Sequence, residues 1–348
     1  MGKILFPETM IQQCVIHWVG NKNNDEGVVL SDNTTILSPE LEVTLIKYFL
    51  QSFEGKEEAW SFTHVDDIKY NEISSYASEV FEDEDFVGVS KRIARQLYEC
   101  SVHPNIKGGE LFVVKFSNVL YDEKSVSAVG LFKSETKDTF LRFVSMNNNL
   151  EVENELGTNV NHLDKGCLIL DCADEKGYYV FTIDSSNRVD AKYWTDDFLG
   201  IMPRQNEYTF TKDVLSMTRE FVHKVLPAEC PITKAEQVEL LNKSMKYFKR
   251  NEDFSMQDYE EEVFGDAQLI DSFNKHKDAY EQEREAELAE SFAISDSAVK
   301  KQERKMKSVI KLDKNFHIYV HGGEQLIQKG YDEEVGMQYY KVFFREEK

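Results

Sequence analysis

Seven basic residues stand between Val299 and Lys314: Lys300, Lys301, Arg304, Lys305, Lys307, Lys311 and Lys314, opposed only by Glu303 and Asp313. Such a segment suits the binding of phosphate oxygens, because affinity for a polyanion grows with the number of counterions displaced. A helix capped by Ser295 and running to about residue 307 would put Lys300, Arg304 and Lys307 on one stripe, at spacings of four and three. Lys301 and Lys305 would sit beside that stripe, and Lys311 and Lys314 would extend it along the following strand and turn. The competing reading is a solvated helix face that moderates self-repulsion, as charge runs commonly do. A smaller cluster, Lys243, Lys246, Lys249 and Arg250, poses the same choice, and there the solvated face is preferred.

A second set of residues points to a different chemistry. Asp122, followed by Glu135-Thr136-Lys137 after a strand, resembles the Asp…Glu-x-Lys arrangement of metal-dependent nucleases. In those enzymes a carboxylate pair holds Mg²⁺ and the lysine stabilises charge or orients water. The pattern is short, and a turn at the end of a strand accounts for the same polar residues. Catalytic residues, metal ligands and cofactors are therefore expected to be none. His317 and His321, with Asn315 and Tyr319, alternate as one polar face of a strand. HExxH, GxxxxGK[ST] and GxSxG do not occur in the sequence. Gly108-Gly109 serves backbone geometry at the start of a strand. The aromatic group Tyr178, Tyr179, Phe181, Tyr193, Trp194 and Phe198 reads as core or interface before a platform for stacking bases.

The whole chain frames these local readings. Its 348 residues suffice for two cores. With 63 acidic against 41 basic residues, its formal charge is -22, so it repels polyanions at long range. Any contact with nucleic acid must be made by a local basic patch. Cys14, Cys100, Cys167, Cys172 and Cys230 form an odd set with no CxxC pair, expected to be reduced thiols. Met1 to Phe6 shows no secretory pattern, Phe6 stands where a myristoylation signal needs Ser or Thr, and no apolar run approaches about eighteen residues. The cytoplasm is the expected compartment, with no membrane partner.

The elements that must position these residues are α+β in class. Residues 11–19 are apolar enough for a strand. Ser38-Pro39-Glu40 opens a helix with an N-cap serine and proline at the first position, and Leu41, Leu45, Phe49 and Phe53 recur on its buried side. A further helix covers residues 89–100. Short connections at Tyr121-Asp122-Glu123-Lys124 and at residues 173–177 join antiparallel neighbours between residues 111 and 184. Residues 236–250 are helical with Leu240, Leu241, Met245 and Phe248 as the apolar side, whereas 252–287 reads as a solvated helical hairpin or a spacer. Three domains are expected: an N-terminal α+β domain with an antiparallel sheet over 1–227, a charged helical region over 228–307, and a small C-terminal β-unit over 308–348 packed on a helix or a partner. In that unit Ile310, Leu312, Phe316, Ile318 and Val320 form an apolar side by alternation. So small a sheet needs another surface to cover it, which suggests a homodimer.

Several stretches together resemble a known family. They are His103-Pro104-Asn105-Ile106-Lys107-Gly108-Gly109-Glu110-Leu111 with the hairpin to Gly130-Leu131-Phe132-Lys133; Ala191-Lys192-Tyr193-Trp194 with Phe198-Leu199-Gly200; Ala298-Val299-Lys300-Lys301; and Lys311 to Ile318. In combination they are similar to the nucleoid-associated proteins of bacteria, the NdpA-like family. The resemblance implies a place on the nucleoid and association with double-stranded DNA, and it brings no catalytic residue set. Two alternatives stay open: an acidic interaction module binding a DNA-processing enzyme or its own copy, and an Mg²⁺-dependent nuclease.

Overall fold

A computed structural model of the chain describes residues 2–146, 149–185, 193–284, 287–306, 309–312, 314–319 and 327–346. The chain forms two compact units, Met1–Arg204 and Gln205–Lys348.

In chain order the first unit holds β1 (Ile4–Leu5), β2 (Met10–Val19), β3 (Val28–Val29), α1 (Pro39–Leu50), β4 (Trp60–Phe62), α2 (Glu72–Phe81) and α3 (Phe86–Cys100). Then come β5 (Gly109–Tyr121), β6 (Lys124–Ser134), β7 (Asp138–Met146), β8 (Asn149–Gly157), β9 (Lys165–Asp174), β10 (Gly177–Asp184), a π-helical turn Tyr193–Leu199, and β11 (Ile201–Pro203). Among the described residues, nine of these strands make one antiparallel sheet in the order β11-β4-β10-β9-β6-β5-β2-β3, with β1 on β5. The class is α+β, as the short connections predicted. Ser38 caps α1 and Pro39 takes its first position. Of the four residues expected on that helix's buried side, Leu45, Phe49 and Phe53 are buried and Leu41 is exposed.

Period-two alternation divides the sheet's side chains between two layers. Val113, Val129, Leu131, Cys167, Ile169 and Val180 face α2 and α3. Val114, Phe116, Ala128, Phe132, Leu168, Leu170 and Phe181 face α1, where Phe49 stacks on Phe132 at 4.3 Å. The β5–β6 turn has two central residues, Asp122 and Glu123, both at positive φ, the mirror-image turn that matches strand twist. At the opposite end of that hairpin, a Cβ on Gly109 would lie 1.9 Å from the Ser134 carbonyl oxygen, so close strand approach requires glycine there. The expected aromatic core is present in Phe181, Tyr193, Trp194 and Phe198, all buried. All five cysteines are free, Cys14 and Cys167 buried.

Local sequence assigned no element to residues 138–157, yet β7 and β8 pair with each other along nine residues. They leave the main sheet between its neighbours β6 and β9 as a separate two-stranded arm.

The second unit holds α4 (Glu207–Glu220), a π-helical turn Phe221–Val225, α5 (Leu226–Glu229), α6 (Lys234–Arg250), β12 (Asp253–Ser255), α7 (Met256–Val263), α8 (Ala267–Arg284), β13 (Ser291–Ala293) and α9 (Asp296–Glu303). Two hairpins follow, β14 (Val309–Leu312) with β15 (Phe316–Tyr319), and β16 (Ile327–Asp332) with β17 (Met337–Val342). Thr233 and Glu236 make a reciprocal capping box at the start of α6. Leu240, Leu241, Met245 and Phe248 are buried as the periodicity demanded. The acidic stretch after residue 252 is more than a spacer, because Phe254, Tyr259, Phe264, Phe273 and Tyr280 are buried in the same core. The Tyr259 hydroxyl sits 2.7 Å from both Thr218 Oγ1 and Ser244 Oγ, satisfying three buried hydroxyls together.

The C-terminal hairpins bury Ile310 and Ile327 against Ala235 and Val238 of α6, with Leu312, Ile318 and Tyr340 packed alongside. A helix of the same unit thus covers the apolar side that suggested a second copy. Phe316 lies exposed on that side, and Val320 falls outside the described residues.

Candidate nucleic-acid interface

Helix α9 exists because Ser295 caps it, its Oγ accepting from the Ala298 N–H at 3.4 Å, and because Ala298, Val299 and Gln302 bury one side. That burial turns Lys300 outward, and Arg304, four residues on at the C-cap, is exposed as well. The expected helix to residue 307 is shorter: it ends at Glu303. The Lys305 and Met306 N–H groups both turn back to the Gln302 carbonyl, and the buried Met306 anchors the turn. The stripe is therefore Lys300 with Arg304. Lys301 lies to one side, its Nζ 3.0 Å from the Tyr208 hydroxyl and over that ring. Lys305 is exposed, Lys307 lies outside the described residues, Lys311 is in β14 opposite His317, and Lys314 is exposed at the following turn.

The smaller basic cluster proves to be adjacent. Helix α6 packs on α9, sharing a core that includes Leu241, Met245 and Val299. Lys249 Nζ lies 2.6 Å from Glu303 Oε1, joining the two helices through the one acid inside α9's basic run. Lys243 pairs with Glu239 at 3.1 Å and Arg250 with Glu262 at 2.6 Å, while Lys246 is exposed. Lys249 and the α9 run, some fifty residues apart in sequence, are thus neighbours. Part of the α6 charge is already balanced, by Glu239 of the same helix and Glu262 of α7.

A third cluster has no counterpart in the sequence motifs. Lys133 and Lys165 are partners in the β6–β9 register and both are fully buried on the α2–α3 face. Lys133 Nζ lies 3.1 Å from Glu135 Oε1 and 2.9 Å from the Lys107 carbonyl, and Lys165 Nζ lies 2.9 Å from Asp184 Oδ1. The Tyr193 ring is beneath both ammonium groups, at 5.7 and 5.1 Å, and its hydroxyl donates to Glu135 at 2.7 Å. Burial lowers the pKa of Lys133, opposed by the Glu135 charge and hydrogen bond and reinforced by Lys165. Nearby, Asp164 accepts from the Glu135 and Thr136 N–H groups at 2.8 and 3.0 Å. Glu26, Lys107, Glu135, His162 and Asp164 line an adjoining cleft of about 760 Å³.

A family model described as nucleoid-associated protein YejK matches residues 15–335 of the 348. The chain belongs to the nucleoid-associated protein family. No curated protein matches it closely enough to count as a relative. The match takes in both the sheet unit and the basic helices of this family member. No described helix of this nucleoid-associated protein is long and apolar enough to cross a membrane.

The family member does not assemble the nuclease arrangement from the residues that suggested it. Asp122 occupies the β5–β6 turn and Glu135 follows the far end of β6, an eleven-residue strand. At roughly 3.3 Å per residue they stand about 35 Å apart, too far to share an ion. Lys137 is engaged by Glu110 and by Thr158. Among the described residues, no group of three or more His, Cys, Asp or Glu side chains is arranged to hold a metal.

Proposed function

We propose that this nucleoid-associated protein contacts double-stranded DNA through the local basic surface of its second unit, and that it acts as a binding protein and not a catalyst. The DNA-binding residues would be Lys300, Lys301, Arg304 and Lys305, with Lys307, Lys311 and Lys314 continuing the patch. The observation that carries this reading is the adjacency of α6 and α9, which sets Lys249 beside the α9 run in a chain of charge -22. Such a chain approaches a polyanion only where positive charge is concentrated. Contacts to phosphate position a protein on the duplex without reading sequence, so binding should be largely indifferent to base sequence. The expected compartment is the bacterial cytoplasm, at the nucleoid.

The test replaces Lys300, Arg304 and Lys307 with Gln and titrates duplex DNA at several salt concentrations. Removing each phosphate-binding side chain should flatten the slope of log affinity against log salt by about 0.9. Unchanged affinity and slope in a folded variant would return the patch to a solvated face and favour the acidic interaction module. Mg²⁺-dependent degradation of the DNA would favour the nuclease.

A further inference from the structure

The β7–β8 arm has two unlike faces. Cross-strand partners share a face, so the register places Leu141, Phe143, Leu150, Val152 and Leu156 together on one side, with Thr139, Ser145 and Asn154. That side carries no charged residue. Asp138, Arg142, Glu151, Glu153 and Glu155 all fall on the other, where Arg142 and Glu153 approach to 3.5 Å. The five apolar side chains are between 59% and 78% exposed. A lone two-stranded ribbon is marginal in water, and a contiguous open apolar face marks an interaction surface.

We propose that this face is where a second copy of the chain docks, arm against arm, as a four-stranded sandwich related by a two-fold axis. The charges decide between occupants. DNA is excluded by the arm's own balance, four acids against one base over residues 138–157. A chain of charge -22 meets less repulsion from its own copy at a patch free of charge than at an acidic one, and this face is such a patch. A basic partner would gain most from the opposite, glutamate-bearing face. The area also suffices. At roughly 170 Å² for each fully open large apolar side chain, the five present about 600 Å² per copy. Two copies bury about 1,200 Å², the lower edge of a specific interface. A two-fold contact is self-complementary, so one uncharged face serves both subunits. This inference does not rest on the DNA reading, because association is measured without nucleic acid.

The experiment is sedimentation equilibrium or light scattering of the full chain across micromolar concentrations. The parent should be dimeric. Leu141→Glu with Phe143→Glu should weaken dimerisation at least a hundredfold while keeping the circular dichroism of the parent, since both positions lie on the surface. Glu153→Gln, on the opposite face, should leave the dimer intact. A monomeric parent at 50 µM, or a dimer that survives the double substitution, would overturn the proposal. So would a dimer lost in Glu153→Gln and retained in the apolar-face variant.

Discussion

Lys133 and Lys165 face one another across adjacent antiparallel strands, both wholly out of solvent, with the Tyr193 ring against each ammonium. Two like charges at directly opposed positions are tolerated because each has its own carboxylate, Glu135 for Lys133 and Asp184 for Lys165. The arrangement closes the end of the sheet where the residue 101–108 loop returns, through the Lys107 carbonyl. Perturbed, buried charges of this kind are costly unless fully paired.

Removing one partner should therefore be severe. Glu135→Ala leaves the Lys133 ammonium without its carboxylate and the Tyr193 hydroxyl without its acceptor, and should cost about 3–5 kcal/mol in urea unfolding. Adding Lys133→Met to that variant should restore most of the loss. An additive double variant would show that the pair is not coupled.

His17 makes stability depend on acid. Its Nδ1 accepts from the Ser31 N–H at 3.1 Å and its Nε2 meets Ser90 Oγ at 2.9 Å, so the fold holds the neutral ring. Burial first, then the charges of Lys91 and Arg95, push its pKa down to about 4. The unfolded chain takes up a proton near the ordinary value of about 6.5. The folded pKa is thus the lower one. This contribution is complete above about pH 6.5 and is lost progressively as pH falls toward 4, by at most about 3 kcal/mol. Unfolding measured from pH 8 to pH 4 should show this loss in the parent and lack it in His17→Gln. Parallel profiles would disprove the assignment.

The Lys249–Glu303 pair supplies a prediction of opposite sign to the patch deletions. Glu303→Gln removes the one acid within α9's basic run and releases Lys249. An exposed ion pair of this sort contributes at most about 1 kcal/mol to stability, so the fold should be little changed. Affinity for duplex DNA should rise, and the salt slope should steepen by up to about 0.9 if Lys249 gains one phosphate. Weaker binding in Glu303→Gln would mean that DNA lies elsewhere.

Much of this architecture is legible in local sequence. Ser38-Pro39 and Ser295 announce helix starts, because a cap forms between residues about three apart. The Asp122-Glu123 turn and the short loop before Gly177 require antiparallel neighbours, because no crossover fits in so few residues. Local sequence assigns no element to the arm over residues 138–157, and its pairing of β7 with β8 outside the sheet came only from the tertiary structure. The end of α9 at Glu303 depended on Met306 finding a buried site, a tertiary fact that overrode a run of good helix formers.

What the chain alone determined, then, was its α+β class, its acidic balance and the basic run from Lys300 to Lys314. Tertiary structure decided that α6 lies beside α9, that Asp122 and Glu135 are kept apart by the length of β6, and that Lys133 meets Lys165. Caps, turns and charge counts act between neighbours in sequence. Those three outcomes depend instead on strand register and helix packing, which bring together residues with no local influence on one another.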